Sequence, residues 1–307
     1  MYGGALRADC AGLVRVANTT SAFARQPGTV SSVTRILAVG DAHGDKTFME
    51  RLVMPTAQKL DIDIVLPVGD FGYQPQQEFL FRCATAAATF GIPIWWLDGN
   101  HEHHRALREA LEQLGADLSG PVDLDGLVYL PRGSRFELDG VRFCVLGGAV
   151  SVDRLARTEG VDWFPEEQIT ESDLMHVADG GPCDVLLTHD APAGYVIPGI
   201  PSNDRVPPFW QPMLHVSAMH RYAVLAAVEA VKPALLVHGH YHSRYSQELV
   251  LDNGHVVQIE GLDQNRAQGA LGLIEVADGQ VTFSDVIYGS DHPTTFAKKT
   301  FSLAHNA

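Results

Sequence analysis

The sequence lacks closely spaced cysteines. Its four cysteines, Cys10, Cys83, Cys144 and Cys183, are far apart and form no CxxC pair. This spacing excludes zinc-ribbon and thioredoxin-type motifs, because both need paired cysteines. Cys83 lies in a helical pattern and Cys144 in a strand pattern, where a small buried thiol is the simplest interpretation. Nothing in the cysteine pattern requires an oxidising compartment.

Long apolar runs and an excess of positive charge are also missing. No stretch reaches the roughly 18 apolar residues that a membrane span needs. The 307 residues include 22 Lys and Arg against 37 Asp and Glu, which gives a net charge of −15. Because such a surface repels a phosphate backbone, we expect no membrane association and no broad binding to nucleic acid. A small anionic substrate is not excluded, because a metal-filled cleft reverses the local potential.

Residues 1–32 are predicted to be a flexible, poorly packed extension. The stretch "CAGLVRVA" near its start resembles a signal peptide only faintly, because Asp9 and Arg15 interrupt the apolar core that such a peptide needs. We therefore expect a cytoplasmic protein with one domain over 33–290 and a C-terminal tail over 291–307.

Short apolar runs that end in Gly, Asp, Asn or His recur along the chain. They are RILAVGDAHGD (35–45), DIDIVLPVGDFGY (61–73), IPIWWLDGNHEHH (92–104), CDVLLTHDAP (183–192) and PALLVHGHYH (233–242). Rich in Val, Ile and Leu, each predicts a strand buried on both faces. Amphipathic patterns between them predict helices over 45–61, 75–91 and 217–232.

Turn signals near the end of the chain complete the fold prediction. Asn253-Gly254 and Asp278-Gly279 each separate two β-type runs and predict hairpins. Strands that alternate with helices, followed by hairpins, predict an α/β protein with a two-sheet sandwich flanked by helices.

The polar ends of the apolar runs predict a metal site. In open α/β sheets, ligand groups collect at the carboxyl ends of the strands. Carboxylate, amide and imidazole groups suit divalent ions such as Mn, Fe or Zn. Seven ligands besides His101 are too many for one tetrahedral ion and suit two ions roughly 3.5–4 Å apart that share a carboxylate. The candidate residues are Asp41, His43, Asp70, Asn100, His101, His189, His240 and His242.

The ordered set GDAHG…GD…GNHE…H…GHYH, over about residues 33–260, resembles the calcineurin-like metallophosphoesterases. The resemblance implies an αββα sandwich with its metal site at the carboxyl ends of the strands. It also implies that His101 stands beside the ions without binding them, steadies the transition state and protonates the leaving oxygen. The implied ligands are Asp41, His43, Asp70 and His242 for the first ion, and Asp70, Asn100, His189 and His240 for the second.

The resemblance further implies hydrolysis of phosphomonoesters or phosphodiesters, nucleotides among them. A hydroxide held between two divalent ions would attack phosphorus in line, with His101 as the acid. We expect Mn²⁺, with Fe or Zn as alternatives, and a small phosphoester as the partner; no particular oligomeric state is predicted. Two alternative functions are a serine/threonine protein phosphatase and a metal-binding but catalytically silent interaction module.

The second block departs from the family pattern GDxxD. It reads GDFGY, with Tyr73 at the position of the second aspartate. In protein-phosphatase relatives that aspartate, followed by an arginine, orients the catalytic histidine, so its absence argues against a protein phosphatase. Asp45 or Asp98 could take its place, whereas Tyr73 is expected to pack in the core. The GDFGY block, together with 147–167, resembles a branch of small phosphoesterases in actinobacteria and their phages.

Arginines after the glycine pair of "GGAVSVDRLAR" are candidates for substrate binding. Arg154 and Arg157 could reach a substrate phosphate, or could pair with Asp153 or Glu159 at the surface. We favour substrate contact for one of the two arginines. His238 follows an apolar strand and is expected to be a hydrogen-bonded core histidine.

Overall fold

The computed structural model describes residues 33–75, 78–200, 207–288 and 294–301. The predicted N-terminal extension, 1–32, therefore lies outside the described residues. No helix within these ranges is both long and apolar enough to cross a membrane.

The described strands form two large sheets and a small one. The large sheets have the orders β14-β13-β12-β1-β2 and β10-β11-β9-β8-β7-β6, and the small one is β3-β5-β4. In chain order the strands are β1 (Thr34–Val39), β2 (Ile64–Pro67), β3 (Trp95–Trp96), β4 (Val122–Leu124), β5 (Leu127–Tyr129), β6 (Arg135–Leu138), β7 (Val141–Leu146), β8 (Val185–Thr188), β9 (Leu235–His238), β10 (Tyr245–Val250), β11 (Val256–Gly261), β12 (Leu271–Ala277), β13 (Gln280–Ile287) and β14 (Thr294–Phe301).

Helices connect the parallel strands. A π-helical turn (Met49–Val53) joins the first two helices, so the predicted helix over 45–61 is nearly continuous. The third helix agrees with the prediction over 75–91, whereas the last begins earlier than the predicted 217. The helices are α1 (Lys46–Phe48), α2 (Met54–Lys59), α3 (Glu78–Phe90), α4 (His104–Leu114), α5 (Glu171–Asp179) and α6 (Gln211–Val231).

Successive side chains along the buried strands face different apolar layers. In β1, Ile36 and Ala38 face the apolar layer between the two large sheets. Leu37 and Val39 point the other way, into a core with residues of α1 to α4. In β8, Leu186 likewise faces a third core with residues of α5 and α6. The predicted two-sheet sandwich flanked by helices is confirmed, because both faces of its central strands are covered.

Parallel pairing aligns the strand ends that carry the polar residues. β1 pairs with β2 in one sheet, and β7, β8 and β9 pair in order in the other. Isolated bridges pair Val65 of β2 with Ile94 and the adjacent Val68 with Leu97, which places β3 next to β2. The predicted metal-type residues therefore follow neighbouring strands at one edge of the sandwich.

Both predicted hairpins are confirmed. β10 pairs antiparallel with β11, and β12 with β13. At the second turn, Asp278 and Gly279 have φ values of 50° and 68°, which fits the positive φ that two-residue hairpin turns require.

Part of the predicted C-terminal tail is a strand. Thr294–Phe301 forms β14 and pairs antiparallel with β13, with a register shift between Phe283 and Asp285. This stretch of the predicted tail, 291–307, is therefore part of the first large sheet. The alternation of its apolar residues is weak, and its strand conformation depends on the free edge of β13.

Candidate metal centre

The predicted ligands meet at the carboxyl ends of strands from all three sheets. Asp41 and His43 follow β1, Asp70 follows β2, and Asn100 follows β3 of the small sheet. From the other large sheet, His189 follows β8. His240 and His242 follow β9 in the same way. The site therefore spans the junction of the two layers.

Three groups of side chains have ligand atoms within 4.8 Å of one another. They are Asp41, His43 and His242; His43, Asp70 and His101; and Asp70, His189 and His240. Each group has the carboxylate and imidazole donors that bind divalent transition metals.

Asp70 directs its two carboxylate oxygens to different histidines. Oδ2 lies 3.5 Å from Nε2 of His43, and Oδ1 lies 3.3 Å from Nε2 of His189. Two ligands that each lie about 2.1 Å from one ion are roughly 3.0–3.4 Å apart. These spacings therefore suit one carboxylate that bridges two ions.

Asp41 connects the loop that follows β1 to the loop that follows β9. Oδ2 of Asp41 lies 3.0 Å from Nε2 of His242. The backbone N–H of His240 also donates to Asp41, 3.0 Å from Oδ1. Asp41 thus holds His240 and His242 of the "HGHYH" segment, and its side chain is fully buried.

The group around His189 has a defined tautomer. Nδ1 of His189 lies 2.9 Å from the carbonyl oxygen of Val68, so Nδ1 carries the hydrogen and donates it. Nε2 then faces into the site, where a metal ion would take the place of its proton. Oδ1 of Asn100 lies 3.3 Å from that Nε2, and the ring of His240 lies 5.1 Å from the ring of His189.

Several candidate ligands have unusual backbone conformations. His43, Asp70, His240 and His242 have positive φ values of 47°, 43°, 69° and 47°. Each such residue costs on the order of 1–3 kcal/mol, and such strain clusters at functional sites. A Cβ on Gly99 would lie 2.2 Å from Oδ1 of Asp70, so only glycine permits this approach.

The electrostatic field of the site favours cations. Burial raises the pKa of Asp70, but the charges and hydrogen bonds of His189, His101 and His43 outweigh burial and hold it well below its usual range. Burial lowers the pKa of His189, but Asp70 overrides burial and raises it to about 10. Burial lowers the pKa of His240 to about 4, which leaves a neutral imidazole able to bind metal.

His101 lies on the open side of the site. The side chains of His43, His101 and His242 are 24%, 35% and 40% exposed, whereas Asp70 and His189 are buried. The backbone N–H of His101 donates to Oδ1 of Asp70 at 2.8 Å. Its Nε2 lies 3.8 Å from Oδ2 of Asp70, so distance alone would also allow it to bind metal.

Arg157 contacts the ring of His101. Its Nη1 and Nη2 lie 3.3 and 3.1 Å from Nδ1 and Nε2 of His101. A guanidinium only donates, so this contact competes with metal binding by the ring. Arg157 also pairs with Asp153 at 2.9 Å. Arg154 instead lies over the ring of Trp163, with Cζ 5.6 Å from its centroid.

Two aspartates could replace the missing second aspartate of the GDxxD pattern, but both have partners other than His101. Asp45 caps the N–H of Phe48 and accepts from Arg266. Asp98 accepts two hydrogen bonds from Arg132, at 2.9 and 2.7 Å.

Tyr73 packs as expected. Its ring stacks on Trp96, with centroids 5.4 Å apart and planes 14° apart. His238 is likewise confirmed as a buried core histidine, because Nδ1 contacts the carbonyl oxygen of Gly239 and Nε2 the hydroxyl of Tyr245.

The supporting roles of several polar residues near the site were not predicted from the sequence. Glu102 is buried and accepts from the N–H groups of Gly72 and Gly99, which ties the GDFGY block to the GNHE block. Asp190 accepts from Tyr241 at 2.6 Å and contacts Nδ1 of His220 at 2.7 Å. The adjacency of Glu102 and Asp190 to candidate ligands was the available signal. Ser151 and Glu167 have no such signal.

Comparison with known proteins agrees with this geometry. The family model for calcineurin-like phosphoesterases matches residues 34–244, and the chain belongs to this family. No curated protein matches the chain. The metal-type clusters and this membership support a phosphoester hydrolase. The finer resemblance to the GDFGY-containing branch stays a prediction.

Solved structures with the same architecture include a dimetal phosphatase from Danio rerio. It is 13% identical, with 85% of this chain and 98% of that chain covered and a TM-score of 0.52. A Thermus thermophilus protein, TT1561, is also 13% identical, with 83% and 95% covered and a TM-score of 0.48. The NAD nucleotidase of Haemophilus influenzae is 16% identical, with 87% and 50% covered and a TM-score of 0.40. At these identities, the similarity concerns the fold alone.

Proposed function

We propose that this protein hydrolyses small phosphomonoesters or phosphodiesters with two divalent metal ions, Mn²⁺ in the first instance. The observation that carries the proposal is the double contact of Asp70, with one carboxylate oxygen toward His43 and the other toward His189. A buried carboxylate needs compensating positive charge, which the protonated ring of His189 supplies in the metal-free site and two divalent ions would supply in its place.

The donor set fits two such ions. The residues that would hold the first are Asp41, His43, Asp70 and His242, and those for the second are Asp70, Asn100, His189 and His240. The direction of Nε2 of His189 into the site, set by the hydrogen bond from Nδ1 to the Val68 carbonyl, is an independent sign of a ligand role. When bound, two divalent ions would activate water at neutral pH and neutralise charge on the phosphoryl group.

Two further side chains on the open side of the site would act on the substrate. Arg157 would donate to a phosphoryl oxygen, because its guanidinium already lies beside His101. His101 would give a proton to the leaving oxygen. Burial lowers the pKa of His101, with Asp70 opposing and Arg157 reinforcing this effect. A bound phosphoryl dianion acts in the opposite direction and favours the protonated ring.

Hydrolysis of para-nitrophenyl phosphate and bis-para-nitrophenyl phosphate tests the proposal. Chelator-stripped protein should be inactive, and added Mn²⁺ should restore hydrolysis of at least one ester. The faster ester would indicate a monoesterase or a diesterase preference. Protein that binds two Mn²⁺ ions yet hydrolyses neither ester, nor any member of a nucleotide panel, would contradict the proposal.

A further inference from the structure

A buried hydrogen-bond chain leads away from the candidate ligand Asn100. Its Nδ2 donates to Oγ of Ser151 at 3.1 Å, and that hydroxyl donates to Oε2 of Glu167 at 2.6 Å. The backbone N–H of Ser151 donates to Oε1 of Glu167 at 2.7 Å. Asn100, Ser151 and Glu167 are 3%, 1% and 0% exposed, so bulk water does not compete for these bonds.

The direction of donation in this chain determines which way the amide faces. The two side-chain oxygens of Glu167 each accept one hydrogen bond from Ser151. The single hydrogen of the Ser151 hydroxyl is given to Glu167, so the hydroxyl oxygen can only accept from Asn100. Nδ2 of Asn100 therefore faces Ser151, and Oδ1 faces Nε2 of His189, 3.3 Å away. The reverse orientation would direct two N–H groups at the position of a cation.

Glu167, the acceptor at the end of this hydrogen-bond chain, is itself held in place by hydrogen bonds to its backbone. Glu167 ends a short 3₁₀ turn, and its carbonyl oxygen accepts from the N–H of Ala149 at 3.1 Å. The same carbonyl accepts from Nη2 of Arg132 at 3.1 Å. Arg132 also pairs with Asp98, two residues before Asn100, at 2.7 Å. One largely buried arginine thus connects both ends of this hydrogen-bond chain.

We infer that Ser151 and Glu167 are positioning residues that hold the amide oxygen of Asn100 toward the second metal ion. The inference rests on the proposed function, because only there is Asn100 a ligand. Residues that orient a metal ligand typically change metal affinity about 10–100-fold when removed. The expected consequence concerns the second ion alone, since Ser151 and Glu167 have no hydrogen bond to Asp41, His43 or His242 among the described residues.

Titration of metal-free protein with Mn²⁺, followed by calorimetry and electron paramagnetic resonance, tests the inference. Ser151→Ala should lower the affinity for the second ion about 10–100-fold. The signal of the spin-coupled Mn²⁺ pair should then need correspondingly more Mn²⁺. The affinity of the first ion should stay unchanged. Ser134→Ala is the matched control, because Ser134 is fully buried and its hydroxyl has no partner in the described part of the chain.

A double variant separates orientation from general structural support. Asp in place of Asn100 offers an oxygen in either orientation, so it has no need of an orienting partner. In the Asn100→Asp background, Ser151→Ala should therefore change the affinity of the second ion by less than about threefold. An equal loss in both backgrounds would overturn the inference.

The outcomes distinguish this inference from the proposed function. Failure of the unchanged protein to bind Mn²⁺ would overturn both. Two ions bound with normal affinity by Ser151→Ala would overturn the orienting role alone. Glu167→Gln gives the same test if Ser151→Ala does not fold, because the amide of Gln removes one of the two acceptors. Normal binding of the second ion by Glu167→Gln would again overturn the orienting role.

Discussion

Oδ1 of Asp70 lies 3.3 Å from Nε2 of His189, although the two residues follow strands of different sheets. This contact joins the two large sheets at the edge of the sandwich that carries the polar residues. It is possible because Gly69 has no side chain, since a Cβ there would lie 2.1 Å from Nδ1 of His189. The candidate metal centre therefore depends on how the two sheets pack, and its metal content should depend on residues from both.

Asp70→Ala is expected to reduce binding of both metal ions, because each cluster loses an oxygen ligand. Elemental analysis after gel filtration should find well below two ions per chain. Asp184→Ala is the matched control, because Asp184 is also buried but pairs with Arg142 at the opposite end of β8. Two tightly held ions in Asp70→Ala would show that the bridging assignment is wrong.

His101→Ala should retain both ions and lose rate. The loss is expected to be about 10²–10⁴-fold for an ester with a poor leaving group, such as phenyl phosphate, because that oxygen needs a proton. It should be much smaller for para-nitrophenyl phosphate. Steady-state rates for the two esters check this prediction. Equal losses on both esters would argue against a role as acid.

Arg157→Ala should lower kcat/KM by roughly 10–100-fold, as expected for the loss of a charge-assisted hydrogen bond to substrate. Arg154→Ala should change it by less than about threefold, because this arginine lies against Trp163 rather than His101. The two variants remove the same charge three positions apart. Equal effects would mean that only the general positive charge matters.

Metal binding should stabilise the fold. Asp41 and Asp70 are buried carboxylates, 0% and 1% exposed, and their mutual repulsion is relieved by cations. At a Mn²⁺ concentration of about 100 times Kd, binding should raise the free energy of unfolding by about 2.7 kcal/mol. For a domain of this size, this should raise Tm by roughly 5 °C or more. Differential scanning calorimetry with and without chelator measures the shift, and Asp70→Ala should largely abolish it.

A pH dependence of stability is expected away from the site. Arg82 donates to the carboxylate of Glu50 and holds the pKa of Glu50 below its ordinary value. Because the folded-state pKa is depressed, this stabilisation is present above the unfolded pKa of about 4.3 and is lost as pH falls through the folded pKa. Glu50→Gln should cost about 0.5 kcal/mol near neutral pH. Urea unfolding should show no difference near about pH 3, and a persistent one would indicate packing instead.

The strands, the helices and the candidate ligands could be predicted because each has a local signature. A run such as "LLVHGHYH" combines a buried apolar strand with a polar end, and the parallel order of such strands brings their ends to one edge. Supporting residues such as Ser151 and Glu167 could not be predicted, because a lone Ser or Glu in a loop resembles any surface residue. Their burial depends on contacts with residues distant in sequence, such as Asn100 and Arg132.

The types of donor at the site follow from the sequence, because residue type and strand order decide which groups can meet. How those donors face one another follows from tertiary packing. It placed Arg157 against His101 and Arg154 against Trp163, and it made β14 from part of an expected tail. Those outcomes depend on the direction of side chains and on free sheet edges, which arise only when distant segments pack together.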